Sequence, residues 1–157
     1  MTAPCPFAIR VDDLRGPEIA ALLQEHLNDM YATSPAESVH ALDLDRLRHP
    51  SITFWTVWDG ATLAGCGALK EIDAKLAEIK SMRTAHSHRR RGVARHLLHH
   101  MLNVARERGY ERLSLETGSP EYFAPARTLY ESMGFTYCGP FADYVEDPYS
   151  QFMTIRL

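Results

Sequence analysis

A single α+β domain built on a mixed β-sheet is the fold class this chain predicts, and three observations predict it. The 157 residues suffice for one full core and are short for two. Apolar patterns of period two and period 3.6 follow one another as strand, helix, helix, three strands, helix, strand, helix, two strands, which gives about six to seven strands and about four helices. No internal repeat or low-complexity linker divides residues 1–157 into more than one domain.

Taken in order, Phe7 to Val11 alternates apolar and polar residues as a first strand and ends at Asp12-Asp13. Pro17 suits a first helical turn, and Ile19, Leu22, Leu23, Leu27 and Met30 recur at helical spacing. Ala32 to Val39 reads as a loop, before a short helical stretch from Leu42 to Leu47 that stops ahead of Pro50. Ile52 to Trp58 is β-branched and aromatic, and Asp59-Gly60 predicts a two-residue hairpin turn into Thr62 to Leu69. Leu76 to Thr84 forms the next strand, in which strict alternation places Leu76, Glu78, Lys80, Met82 and Thr84 on one face and Ala77, Ile79 and Ser81 on the other.

From Val93, the residues Leu97, Leu98, Met101, Leu102, Val104 and Ala105 make the clearest amphipathic helix of the chain, closed by Gly109. Leu113 to Leu115 is a short strand, Pro125 to Met133 a helix ended by Gly134, and Phe135 to Cys138 another strand. Phe152 to Leu157 alternates again and closes the sheet.

Composition narrows the function classes. The 45% hydrophobic and 24% charged fractions are those of an ordinary globular domain. A net charge of -3 argues against a dedicated nucleic-acid binder. No run of about eighteen apolar residues occurs, and Met1 to Pro6 has no signal-peptide pattern, so neither membrane insertion nor secretion is expected. Cys5, Cys66 and Cys138 are far apart and lack metal spacing, which fits a reducing, cytoplasmic setting. His96 and His100 stand at i, i+4 beside His99, yet no carboxylate or cysteine completes a set; a solvated helix face is expected and no metal.

Between a strand and the best helix lies Arg89-Arg90-Arg91-Gly92-Val93-Ala94. Glycine at a helix mouth lets a ligand approach the backbone, and the first N–H groups, the helix dipole and three arginines all favour a phosphorylated group. Alone, the run also reads as a solvated basic loop or a nucleic-acid patch.

Arg89-x-x-Gly92-x-Ala94, followed by Leu97-Leu98, resembles the acetyl-CoA signature of the GCN5-related N-acetyltransferase (GNAT) family. Downstream, Leu129-Tyr130-Glu131-x-x-Gly134-Phe135 resembles the second block of that family. The resemblance covers most of the chain in element order and is densest between Ala77 and Phe135. It implies a mostly antiparallel sheet with one splayed pair of parallel strands, and acetyl-CoA as acyl donor for a primary amine of a small molecule or peptide.

It also implies roles for matching residues. Met82, Arg83 and Thr84 would offer unpaired backbone groups to the pantetheine arm, with the Met82 region donating to the acetyl carbonyl. Arg89, Arg90, Arg91, Gly92, Val93, Ala94 and Arg95 would grip the diphosphate. Tyr130 would protonate the departing thiolate; its competing reading is a core tyrosine. Glu78 would accept the amine proton, or be a strand carboxylate paired with Lys80 or Lys70, with Glu116 and Tyr122 as weaker alternatives for the base. Phe123 stands where many members carry asparagine, so apolar packing is expected there, with Ala126 nearby on the cofactor arm.

The acceptor pocket is expected between Tyr31 to His40 and Pro140 to Ser150, where Asp143, Tyr144, Glu146, Asp147 and Tyr149 would suit a cationic amine or form a solvated loop. No histidine adjoins Cys66 or Cys138, so direct attack is expected rather than a covalent acetyl-cysteine. A non-catalytic acyl-CoA sensor is the alternative function. A homodimer is compatible with the pattern, which indicates no interface.

Overall fold

The computed structural model describes residues 6–39 and 44–157. Seven strands form one sheet in the order β1-β2-β3-β4-β5-β7-β6. They are β1 Phe7–Val11, β2 Ile52–Asp59, β3 Thr62–Glu71, β4 Leu76–Thr84, β5 Arg112–Gly118, β6 Thr136–Cys138 and β7 Ser150–Arg156. Every neighbouring pair is antiparallel except β4 and β5. Four α-helices accompany them: α1 Pro17–Thr33, α2 Leu44–Leu47, α3 Val93–Glu107 and α4 Ala124–Ser132.

The helices form for the reasons the sequence suggests. Pro17 opens α1 after an extended Gly16, and Ile19, Leu22 and Leu23 are buried. Of the stretch read as helical from Leu42, Leu42 lies outside the described residues, and α2 begins at Leu44. The α3 stripe buries Val93, Leu97, Leu98, Met101, Leu102 and Ala105, the larger of which contribute roughly 1.5–3 kcal/mol each. Gly109, at φ 82°, then takes the chain out of the helix. Asp59 pairs with Thr62 across a turn in which Gly60 has φ 58°, as the Asp-Gly pair predicts.

Two cores flank the sheet. One joins α3 and Tyr130 of α4 to Trp55, Val57, Leu69, Ala77 and Ile79; the other joins α1 and Leu47 to Phe54, Cys66 and Ala68. Gly67 permits α3 to approach, since a Cβ there would lie 2.5 Å from Met82 Sδ and 2.9 Å from Leu97 Cδ2.

The expected alternation along β4 breaks at one residue. Cys66 is opposite Arg83 and Ala68 opposite Lys80, so Ser81 and Met82 together face Gly67. Ser81 takes φ 56° to make this bulge, and the buried Cys66 thiol donates to its carbonyl at 3.3 Å. Beyond the bulge the faces exchange. Met82 joins the α3 core instead of sharing the face of Glu78, whereas Arg83 reaches α1.

Candidate functional site

A cleft opens where β4 and β5 part. Their parallel pairing runs only from Leu76 opposite Arg112 to Ile79 opposite Leu115, although β4 continues to Thr84 and β5 to Gly118. Past Ile79 the β5 edge of β4 has no strand partner among the described residues, and Ser81 and Met82 also lack one-to-one register on β3. Backbone donors and acceptors in this stretch are available to an amide-bearing ligand.

The cleft, about 450 Å³, runs from Met82, Arg83 and Thr84 to the mouth of α3. Arg89, Arg90, Gly92, Val93, Ala94 and Arg95 line that end. Arg90 at φ 63° and Gly92 at φ 83° are both left-handed, and alternation of this kind aims successive N–H groups into one concavity. A Cβ at Gly92 would touch nothing within 4 Å, so the glycine serves backbone conformation rather than packing. Arg91 is the one member of this run that does not line the cleft. Its guanidinium lies 3.5 Å from Asp59 Oδ2 and over the Phe7 ring at 5.6 Å.

Phe123, Ala126 and Tyr130 form the opposite wall. Phe123 ends a short 3₁₀ turn and packs against Gly118, where a Cβ would sit 2.1 Å from its ring. This is the apolar packing expected in place of an asparagine contact. Tyr130 is buried, with its ring edge-on to Phe135 at 5.5 Å, and its hydroxyl has no hydrogen-bond partner among the described residues. Burial pushes its phenol far above the ordinary value, so it is protonated at neutral pH.

A smaller pocket, about 100 Å³, adjoins the cleft and shares His26, Met30, Met82, Phe123, Ala126 and Tyr130 with it. Glu78, Lys80, Glu116 and Tyr144 line its far side. Glu78 is 2% exposed and already engaged: the Tyr144 hydroxyl donates to Oε2 at 2.5 Å and Lys80 Nζ lies 3.3 Å away. Glu116 is half-buried and accepts from the Ser150 hydroxyl at 3.0 Å. Burial, only partly offset by Ser150 and Lys80, raises its carboxyl to about 7. Two carboxylates therefore share the pocket, one paired with a cation and accepting from a phenol, the other with its pKa raised to about 7.

The two loops expected to frame an acceptor do meet, since Ser38 donates to Asp147 at 2.7 Å. His40 is outside the described residues. Of the carboxylates and aromatics in the late loop, Tyr144 reaches the pocket, packed against Phe141 and Phe152.

Sequence reasoning missed His26, Asp29 and the side chain of Arg83. Arg83 Nη2 bonds Asp29 Oδ2 at 2.5 Å and Glu25 Oε1 at 2.6 Å, and Nη1 donates to Tyr122 at 3.0 Å. Tyr122 in turn donates to Asp29 at 2.9 Å and accepts from Arg89 at 3.0 Å, so it belongs to the cleft's polar rim and does not line the smaller pocket. Burial opposes the charged form of Asp29, but hydrogen bonds from Arg83 and Tyr122, with the charge of Arg83, outweigh it and hold the carboxyl below its usual range. Glu25, Asp29 and His86 converge closely enough for a metal, but the Arg83 guanidinium already supplies the cation there. His26 is held neutral, its pKa lowered to about 4 by burial and then by Arg83. Only helical spacing on the apolar side of α1 could have marked His26, and nothing in sequence pairs Asp29 with Arg83.

Neither thiol among the described residues is activated: burial raises Cys66 to about 12, and desolvation also raises Cys138. Among the described residues, no helix is long and apolar enough to cross a membrane.

These features agree with known proteins. The model of the acetyltransferase (GNAT) family matches residues 19–135. A Bacillus subtilis (strain 168) protein described as uncharacterized N-acetyltransferase YsnE is 60% identical over 149 residues, spanning 95% of this chain and 99% of that protein. An Escherichia coli (strain K12) protein described as uncharacterized N-acetyltransferase YedL is 51% identical over 151 residues, 96% of this chain and 95% of that one. Among solved structures, a putative acyl-CoA N-acyltransferase from Klebsiella pneumoniae superposes with a TM-score of 0.77 at 24% identity, over 96% of this chain and 97% of its own. Splayed strands, a glycine-gated helix mouth and these matches lead to one conclusion: the chain belongs to the acetyltransferase (GNAT) family and is an acetyl-CoA-dependent N-acetyltransferase.

Proposed function

We propose that the chain passes the acetyl group of acetyl-CoA directly to a primary amine of a small molecule or peptide, in a ternary complex in the cytoplasm. One observation carries this reading: the cleft and the carboxylate-lined pocket are adjacent, with Tyr130 and Met82 in the walls of both. In it, the amine nitrogen attacks the acetyl carbonyl carbon, the C–N bond forms and the C–S bond breaks. Backbone N–H in the Met82 region polarises the carbonyl, Tyr130 gives its proton to the thiolate sulfur, and a carboxylate takes the proton of the amine.

Glu78 was the expected proton acceptor, and Glu116 shares its pocket. The Lys80 and Tyr144 contacts make Glu78 the less available of the two, while a carboxyl near 7 exchanges protons readily with an ammonium. Glu116 is therefore the proposed base and Glu78 the group that sets its surroundings. Holding both reactants in line accounts for much of the acceleration.

The experiment is acetyl-CoA consumption with a panel of primary amines, from small aminoalkyl compounds to peptides. Release of CoA with at least one acceptor is expected. Tight acetyl-CoA binding with no release for any acceptor would instead make the chain a sensor of acyl-CoA.

A further inference from the structure

We propose that Asp59, at the tip of the β2–β3 hairpin, is a positioning residue for the diphosphate cradle and acts through His88 and Arg91. This rests on the reading that Arg89, Arg90 and residues 92–95, which line the cleft, grip the diphosphate. His88 is buried beside the cleft, with Nε2 3.0 Å from Asp59 Oδ2 and Nδ1 2.7 Å from the Ser87 hydroxyl. Both ring nitrogens are thus engaged, which fixes the ring. The same Asp59 oxygen takes Arg91 Nη1 at 3.5 Å. Phe7 completes the anchor, under the Arg91 guanidinium at 5.6 Å and edge-on to His88 at 6.4 Å.

Arg91 is the single residue between the two left-handed positions, Arg90 and Gly92. Anchoring it fixes the backbone on both sides, and with it the direction of the N–H groups at the mouth of α3. His88 fixes the entry to the loop from the other end. One carboxylate at the hairpin turn therefore holds the cradle at two points, and Arg91 braces the loop rather than touching phosphate.

Charge alone predicts the opposite of this role. A carboxylate beside an anion site repels the anion, so removing its charge would tighten CoA binding. The sign of the effect separates the two accounts. Asp59→Asn keeps the turn, since Asn-Gly is as favourable there as Asp-Gly. CoA affinity is measured by titration calorimetry at a temperature well below the unfolding midpoint of each variant, so that only folded protein is titrated. Asp45→Asn, which removes a carboxylate at an exposed position on α2, controls for net charge.

A dissociation constant raised about tenfold or more by Asp59→Asn, with Asp45→Asn close to the unsubstituted protein, is the expected result. Unchanged or tighter CoA binding in Asp59→Asn overturns the proposal. Gly92→Glu separates this from failure of the cradle itself: if Gly92→Glu also leaves CoA affinity unchanged, the diphosphate site is wrongly assigned. If Gly92→Glu abolishes binding while Asp59→Asn does not weaken it, only the brace is refuted.

Discussion

Tyr130→Phe separates a proton donor from a core tyrosine, because the two roles predict opposite patterns of stability and rate. The ring is 6% exposed and packs edge-on to Phe135, and phenylalanine keeps all of that contact. A buried hydroxyl that completes a hydrogen bond contributes about 1 kcal/mol, which substitution would forfeit. Here the hydroxyl has no partner among the described residues, so unfolding free energy is expected to stay within about 0.5 kcal/mol or to rise. Loss of a general acid is expected to lower kcat about 100-fold, equivalent to about 2.7 kcal/mol in the barrier. Acetyl-CoA affinity should change little, since the proton is needed only as the thiolate leaves. Thermal unfolding, CoA titration and CoA release with an amine acceptor measure the three quantities. Undiminished turnover, or a stability loss above about 1 kcal/mol that accounts for the lost rate, would refute the assignment.

Three further substitutions probe the rest of the site. Gly92→Glu places a side chain on a backbone at φ 83° and a negative charge at the helix mouth; it should cost about 1–2 kcal/mol of stability and weaken CoA at least tenfold, and unchanged affinity contradicts the cradle. Glu116→Gln keeps an acceptor for Ser150 and removes a carboxyl that burial holds near 7, above its unfolded value of about 4.3. Because that carboxyl binds its proton more tightly in the folded chain, its stabilising contribution is present below about pH 4.3 and lost as pH rises through about 7. The Gln variant should therefore gain stability over the unsubstituted protein at pH 8 and not at pH 4, and should lose the rise of kcat/KM through pH 7; melting curves and pH–rate profiles test both. Gly118→Ala drives a Cβ into the Phe123 ring and should cost about 1–3 kcal/mol while raising the acetyl-CoA dissociation constant; an unaltered melting midpoint would show that Phe123 does not cover Gly118 as described.

What could be read from the sequence was local. The stripe of Leu97, Leu98, Met101 and Leu102 and the Asp59-Gly60 turn each encode their structure within a few residues, and each forms as expected; of the Arg89 to Ala94 run, all but Arg91 line the cleft. Strand ends were read short where polar residues pair: β5 extends through Glu116 and Thr117 because β7 supplies their partners. The bulge at Ser81 was invisible, since a serine at φ 56° carries no glycine or asparagine signal, and its support is the thiol of Cys66 on the next strand. Arg91 illustrates the same limit. Three adjacent arginines look equivalent in sequence, and only Asp59 and Phe7, both remote in the chain, turn one of them out of the cleft.

That bulge links the two halves of the site. Without it, Met82 would continue the face of Glu78 and Lys80, and Arg83 would point into the α3 core with no counter-ion. With it, Met82 fills the space over Gly67 beneath α3, and Arg83 passes to the α1 side. A guanidinium there is 8% exposed and must be matched, because removing one member of a buried pair costs about 3–5 kcal/mol. Glu25 and Asp29 of α1 match it, and Tyr122 ties the β5–α4 connection to the same group. His26 and Met30 sit on the tethered stretch of α1 and line both the cleft and the pocket. The single extra residue that takes Ser81 and Met82 out of one-to-one register with β3 thus also sends Arg83 to α1, the helix whose His26 and Met30 line both the cleft and the pocket.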